Sequence, residues 1–335
     1  MHGFSVVVPT YTGVGTVGRC LEAIAGQQLE TRFELIIVQD GPNNTLAGEI
    51  RGSLPMVEAA GIDVTYHCLA QNRGRFVARL EGARLAKFEH VLFLDDRIDF
   101  GPSYFADIAD RDEMAVMPRV YEKSAQNFVS RAIYLVRKHL LYRNHYETTE
   151  NTHITVSNFE SSPKGTTSLW VNRALFVEIC EEIGEADAKS VNDDTRILRK
   201  IVESGYRIVR NGGAAIEYTP RGNASSELEH MFFRGPRFVD YYATPGRRYF
   251  PHLVLSGLLG VVLMGGAIVY PPALAGVLVL ALLAVMALSL WMGESAADKA
   301  TVFIGIPILT SAFVGGVLYG LVIAARGLIA RTRAP

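Results

Sequence analysis

The sequence predicts an α/β domain with a mostly parallel sheet, followed by a helical transmembrane region. Three observations predict it. Apolar runs alternate with helical patterns through the first part of the chain, and each apolar run ends in polar residues. Charge, the third observation, is unevenly spread: of 335 residues 49% are hydrophobic and 20% charged, yet all but four of the 33 Lys and Arg and all but two of the 34 Asp and Glu precede residue 251. The final 85 residues hold only Lys299, Arg326, Arg331, Arg333, Glu294 and Asp298. That asymmetry excludes a wholly soluble enzyme and a wholly intramembrane transporter. We expect a soluble domain over residues 1–245 and a membrane region over 246–335.

Taken in order, Phe4 to Val8 reads as a strand, Val17 to Gln27 as an amphipathic helix, Phe33 to Val38 as a strand and Leu46 to Ala60 as a helix. Val64 to Cys68 follows as a strand, Phe76 to Ala86 as a helix and Val91 to Leu94 as a short buried strand. Alternation of this kind gives a sheet covered on both faces. Further on, Leu169 to Leu175 leads into a helix, Thr195 to Glu203 is helical, and Arg207 to Val209 is a strand. Phe128 to Tyr146 places Ile133, Val136, Leu140 and Leu141 among Arg131, Lys138, His139 and Arg143. Such a pattern suits an interfacial helix on a membrane or a surface helix packing its apolar stripe on the sheet.

The tail divides into apolar stretches at 252–270, 273–292 and 301–325, each near the roughly 20 residues a helix needs to cross a bilayer. Pro271 and Pro272 fill the gap between the first two, which predicts a tight hairpin. Gly315, Gly316 and Gly320 in the third stretch would let another helix approach closely. Arg247 and Arg248 precede the first stretch while Arg326, Arg331 and Arg333 follow the last, so the positive-inside rule wants both ends on one side. Three full spans would separate them. Either the last arginines are tolerated outside, or one stretch is re-entrant or interfacial. Met1 to Val8 leads directly into a strand without a signal-peptide pattern, so the expected location is an inner (plasma) membrane with the large domain in the cytoplasm. Cys20, Cys68 and Cys180 are odd in number and far apart, which suits a reducing compartment and no disulfide framework.

In an open α/β sheet the ligand sits beyond the carboxyl ends of the strands. Those ends read Pro9-Thr10-Tyr11, Gln39-Asp40-Gly41-Pro42, Gln71-Asn72-Arg73-Gly74-Arg75 and Asp95-Asp96-Arg97. Tyr11 can stack on a flat ring, Asp40 can accept from ring N–H groups, and the arginines can fork onto phosphates. A nucleotide diphosphate fits that set. Gly13-Val14-Gly15 lacks the third glycine of a dinucleotide fingerprint, and no phosphate-binding G-x-x-x-x-G-K motif occurs. The net charge of −3 up to residue 250 argues against a nucleic-acid partner.

Together these motifs resemble the family 2 glycosyltransferases of the GT-A fold, which has a Rossmann-like, mostly parallel sheet and transfers a sugar from a nucleotide-diphosphate donor. The resemblance rests on the Pro-Thr-Tyr strand end, Gln39-Asp40-Gly41, Asn72-x-Gly74-x-x-x-Ala78-Arg79-x-x-Gly82, and Phe93-Leu94-Asp95-Asp96. It implies a nucleotide and donor pocket at Pro9, Thr10, Tyr11, Asp40, Asn72, Arg73, Arg75, Arg79 and Asp95. It also implies a divalent cation, Mg²⁺ or Mn²⁺, at Asp96 and Asp95. Here the sequence departs from the family's Asp-x-Asp, because Arg97 stands where the second Asp is expected. Two readings stay open: the acids hold a cation on the diphosphate, or Arg97 itself partly neutralises the leaving group.

Asn192-Asp193-Asp194 resembles the family's Thr-Glu-Asp element, which makes Asp194 the general base of an inverting transfer to a hydroxyl; the same run suits a helix cap. Trp170, Asp193, Arg234 and Arg237 are assigned to the acceptor or the diphosphate. Arg234-x-x-Arg237-Phe238 stands where polymerising members carry Gln-x-x-Arg-Trp, which argues against processive synthesis. The arginines there also suit lipid headgroups. The expected partners are a nucleotide-diphosphate sugar, a lipid or lipid-linked glycan acceptor, and membrane lipids. A polyprenyl-phosphate sugar synthase, a polysaccharide-synthesising transferase and a non-catalytic nucleotide-sugar-binding protein remain alternatives.

Overall fold

A computed structural model describes residues 3–110, 112–122, 127–142, 148–184, 193–219, 223–243 and 245–333. Asn192 and the end of the Phe128 to Tyr146 segment, from residue 143, lie outside the described residues. The chain divides into two units: Met1–Lys123 with Asn144–Thr219, and Ser124–Arg143 with Pro220–Pro335.

The first unit is built from β1 (Gly3–Thr10), α1 (Val17–Ala25), β2 (Arg32–Gln39), α2 (Asn44–Ala59), β3 (Asp63–Cys68), α3 (Arg75–Leu85) and β4 (His90–Leu94). After these come β5 (Ile98–Asp99), α4 (Tyr104–Ile108), β6 (Ala115–Glu122), β7 (Thr152–Ile154), β8 (Ser168–Asn172), α6 (Arg173–Ile183), α7 (Asp193–Glu203) and β9 (Ile208–Tyr218). The strand order is β3-β2-β1-β4-β8-β6-β9-β5, with β7 paired to β9. Strands β1 to β4 are mutually parallel, whereas β8 runs antiparallel to both β4 and β6. The mixed sheet is therefore parallel where the expected pocket lies.

Alternation along the strands sorts the two faces. Phe4, Val6, Val8, Leu35 and Ile37 face one way and pack with Val17, Leu21 and Ile24 of α1 and Leu46 and Ile50 of α2. On the other face, a methyl group added at Gly82 of α3 would collide with Val7, so glycine there lets α3 lie close on the sheet. Phe93 meets Phe176 of α6 on that face, with ring centroids 4.4 Å apart.

In the second unit, α5 (Phe128–Val136) is capped by Asn127, whose Oδ1 accepts from Ser130 N at 3.0 Å, and continues as a π-helical turn, Arg137–Leu141. Then come α8 (Ala224–Tyr242), α9 (Phe250–Val269), α10 (Pro271–Met292) and α11 (Ala296–Arg333). Only Tyr270 separates α9 from α10, and Pro271 and Pro272, expected to fill the gap, form the first two residues of α10. Ala275–Met292 and Ala296–Arg326 are long and apolar enough to cross a membrane; Phe250–Gly260 is apolar over a shorter length.

Within the second unit the apolar stripe of α5 packs on α11 and the end of α10: Val129 and Ala132 join Leu309 of α11, and Leu135 joins Met292 and Val302. The close approach that the glycines of the third apolar stretch allow is made by α8, which lies against Gly316 and Gly320. Phe232 O lies against Gly316, and a Cβ on Gly320 would come within 2.7 Å of Pro236 Cα.

Candidate active site

Parallel pairing brings the carboxyl ends of β1, β2, β3 and β4 to one edge. Thr10 ends β1 and donates from Oγ1 to Asp96 Oδ2, just beyond β4. Asp40 follows β2, and its main-chain N–H donates to Thr10 O at 2.8 Å. Its side chain reaches across to the loop after β3, accepting from Arg73 N (2.7 Å, Oδ1) and Gly74 N (2.9 Å, Oδ2). Gly41 at φ 96° and Gly74 at φ 93° take a backbone conformation that side-chain-bearing residues disfavour. A Cβ on Gly41 would also stand 2.5 Å from Asn72 N. Asp40, assigned from the sequence to the base, thus uses both oxygens to clasp the two loops. Tyr11 is 46% exposed beside it and free to present its ring.

Helix α3 starts at this clasp and carries Arg75 and Arg79 one turn apart on the same face. Arg79 is fully buried. Its Nη1 donates to Asp194 Oδ1 at 2.8 Å, and its Nη2 to Asp95 Oδ1 at 2.9 Å and to Thr166 O at 3.1 Å. Arg75 is half exposed and stands 3.5 Å from Asp194 Oδ2. Thr166, which sequence reasoning missed, donates its hydroxyl to Asp194 Oδ1 at 2.5 Å. Nothing in the short run Gly165-Thr166-Thr167 signalled that role. One guanidinium therefore ties together the acid after β4 and the acid at the start of α7.

The electrostatics follow from that arrangement. Burial pushes the Asp95 carboxyl up, against the pull of Arg79 and Arg75. Burial also raises Asp96, with the Thr10 hydrogen bond opposing and neighbouring Asp95 adding to the rise. Asp194 goes the other way: burial favours its neutral form, but Arg75 and Arg79 outweigh it and hold the carboxyl well below the usual range. The first βα turn is occupied from within the chain, since Gly15 N (2.8 Å) and Gly18 N (3.2 Å), at the start of α1, donate to the carboxylate of Glu49 on α2.

Two of the assigned residues lie in the interior. Trp170 was placed at the acceptor, yet it is fully buried on β8, stacks on His90 at 5.1 Å and donates Nε1–H to Asp110 O at 2.7 Å. It is a core residue. Arg79, which the resemblance puts near the diphosphate or sugar, is enclosed by three acceptors and braces the acids. Pro9 and Thr10 end β1, and Asn72 lies in the loop between β3 and α3. Asp193 opens α7, and its side chain lies outside the described residues. Arg234 and Arg237 lie on α8 in the second unit, where Phe238 packs on Phe313 at 5.4 Å.

A sheet of this order, with acids and arginines converging beyond its parallel strand ends, defines the GT-A class of nucleotide-diphospho-sugar transferase folds. Residues 5–159 match the family described as Glycosyl transferase family 2. Among solved structures it is similar to the mannosyltransferase PcManGT from Pyrobaculum calidifontis, solved with GDP-Man and Mn²⁺: TM-score 0.57, 16% identity, covering 93% of this chain and 86% of that one. It is also similar to S. aureus TarS 1-349 with UDP-GlcNAc, at TM-score 0.50 and 16% identity over 71% of this chain. A TarS 1-349 complex with UDP gives TM-score 0.48 and 16% identity over the same share. The chain spans 66% and 65% of those two TarS chains. No curated protein matches the sequence.

Proposed function

We propose that the chain is a membrane-bound, inverting glycosyltransferase that moves a sugar from a nucleotide-diphosphate donor to an acceptor at the bilayer surface. The observation that carries it is the cluster at the parallel strand ends: exposed Tyr11 for the base, half-exposed Arg75 as a phosphate partner, and Asp95 and Asp96 where a donor's diphosphate and sugar would lie. Mg²⁺ is commonly held by one or two carboxylates with substrate phosphates completing its shell, so two acids suffice. Asp96 and Asp95 offer hard oxygens whose burial disfavours their charge, and a cation there would relieve that. When bound, such a cation would neutralise the departing diphosphate. PcManGT was solved with Mn²⁺ and GDP-Man, which supports a divalent cation and a nucleotide-sugar here without identifying either. The apolar helices α9, α10 and α11 support a membrane anchor, and the reading that goes with it is an inner-membrane location with the catalytic domain in the cytoplasm.

Two acceptor chemistries remain. For a hydroxyl acceptor, Asp194 would remove the proton as the oxygen attacks the anomeric carbon. One observation favours a phosphate acceptor, such as a polyprenyl phosphate: Asp194 is held by two arginines and Thr166, which makes it a weak base, and a phosphate brings no proton that must be removed. Asp194→Asn, checked for folding, separates them, since it should abolish transfer to a hydroxyl and spare transfer to a phosphate.

The donor half is tested on the full chain in detergent by thermal shift against nucleoside diphosphates and their sugars, with and without Mn²⁺. A ligand at 100 times its Kd adds about 2.7 kcal/mol of stability. Absence of any shift with every donor sinks the transferase reading.

A further inference from the structure

We propose that the α9–α10 hairpin alone crosses the bilayer, while α11 lies along the membrane surface with one apolar face on lipid, so that both ends of the chain are on the same side. This rests on the membrane anchoring proposed above. It answers the parity conflict between three apolar stretches and arginines at both ends.

The argument begins with what covers α11. Asp298, Val302, Gly305, Leu309, Gly316 and Gly320 form a buried stripe recurring at helical spacing. Its first part lies on α5: Arg131 Nε and Nη2 donate to Asp298 Oδ1 (2.8 Å) and Oδ2 (3.1 Å), and Ala132 lies against Gly305. Its later part lies on α8, with Phe232, Gly235 and Pro236 against Gly316 and Gly320. From Asp298 to Gly320 the helix runs about 33 Å, as long as a hydrocarbon core is thick. Any perpendicular crossing of α11 would take α5 and α8 through the bilayer with it.

Those two helices are unsuited to hydrocarbon. The α5 segment carries Arg131, Arg137, Lys138 and His139, and α8 carries Glu227, Glu229, His230, Arg234, Arg237 and Asp240. On the insertion scale Arg234 and Arg237 alone would cost about 5–7 kcal/mol at mid-membrane. The opposite face of α11 is apolar and open: Ile304, Val314, Leu318, Leu321 and Val322 are all exposed. With one face on helices that carry charge and the other apolar and open, α11 is better placed in the interface plane than across the hydrocarbon core.

The hairpin has the contrary character. From Phe250 to Met292 the only ionisable side chain able to charge near neutral pH is His252. Leu278, Val279, Leu280, Leu282 and Leu283 are exposed around the whole circumference of α10. At 20 and 22 residues, α9 and α10 reach roughly 30 Å each. The link to α11 is short and fixed, with Ser289 Oγ donating to Lys299 O at 2.6 Å and Lys138 Nζ donating to Glu294 Oε1 at 2.6 Å. Exposed Trp291 at this end suits the headgroup level. With two crossings, Arg247 and Arg248 share a side with Arg326, Arg331 and Arg333, as the positive-inside rule requires.

The test labels the full chain in sealed, inside-out membrane vesicles with an impermeant maleimide. Exposed Cys68 marks the side of the first unit, while Cys20 and Cys180 are buried. In a Cys68→Ser background, Pro335→Cys should label before permeabilisation, as Cys68 does in the native chain, and Tyr270→Cys only after it. Labelling of Pro335→Cys only after permeabilisation means that α11 crosses, and overturns the proposal. Labelling of Tyr270→Cys beforehand means that the hairpin does not cross, and overturns it too. Release of the protein by alkaline carbonate is a separate result that removes the membrane reading itself.

Discussion

Replacing Arg79 by methionine keeps an unbranched apolar stem and removes the guanidinium, with its positive charge, from between two partly buried acids. The wild-type guanidinium makes 2.8 and 2.9 Å bonds to Asp194 and Asp95 and a 3.1 Å bond to Thr166 O. Breaking a buried ion pair by deleting one partner costs about 3–5 kcal/mol, because the other charge stays behind unpaired. For a domain near 200 residues that is roughly 6–20 °C in Tm. The assay is denaturant unfolding in detergent, followed by the fluorescence of Trp170, which lies in the core of the same unit. The loss should depend on pH. In the wild type, Asp194 ionises below its unfolded value, so its stabilisation is present above the unfolded pKa and is lost only as pH falls through the depressed folded one. Without Arg79 the buried acids titrate above their unfolded values, and the variant gains stability as pH falls from 8 toward 5. The gap to wild type therefore narrows on acidification. Adding Asp194→Asn to Arg79→Met should recover part of the loss by removing an unpaired charge. A loss below about 1 kcal/mol, or a gap flat with pH, refutes Arg79 as the counter-charge.

Arg75→Ala, at a half-exposed position, should weaken nucleoside-diphosphate binding about tenfold in thermal shift, in line with one charge-assisted bond, while changing stability by less than about 1 kcal/mol. Trp170→Phe should leave donor affinity unchanged and cost about 1–2 kcal/mol in denaturant unfolding, from a lost hydrogen bond and lost volume; weakened donor binding would return Trp170 to the site. Gly316→Leu has no room against the Phe232 carbonyl and should cost at least about 1–3 kcal/mol by overpacking, read as faster proteolysis of the α8 segment in detergent. Chelation of divalent cations should reduce the shift given by a nucleoside diphosphate; an unchanged shift would favour Arg97 as the neutralising group.

The parallel half of the sheet was legible because β1, β2, β3 and β4 follow apolar runs flanked by turn residues, with α1, α2 and α3 between them at the expected spacing. β5, at two residues, and β7, at three, are too short to leave a periodic signal, and β6 shifts register between Pro118 and Arg119. At the site, spacing showed that Arg75 and Arg79 share a helical face. It gave no means to tell which is buried, since the acids that enclose Arg79 come from 16 and 115 residues away. Trp170 was misread although Leu169-Trp170-Val171 is a continuous apolar run, the mark of a strand buried on both faces. The glycines of α11 did announce a close helix. Its partner α8 stayed hidden because Gly235 and Pro236, poor helix formers, sit in the middle of it.

The carboxylate of Glu49 has a consequence for how this pocket must handle anions. In folds that bind dinucleotides, the first helix offers its unpaired N–H groups and positive dipole end to a pyrophosphate. Here an acid from the neighbouring helix already sits on that seat, held by Gly15 and Gly18. The strongest fixed backbone attraction for phosphate is thereby cancelled. Under the proposed function, a diphosphate at this edge would rely on side-chain cations or a metal rather than on the start of α1.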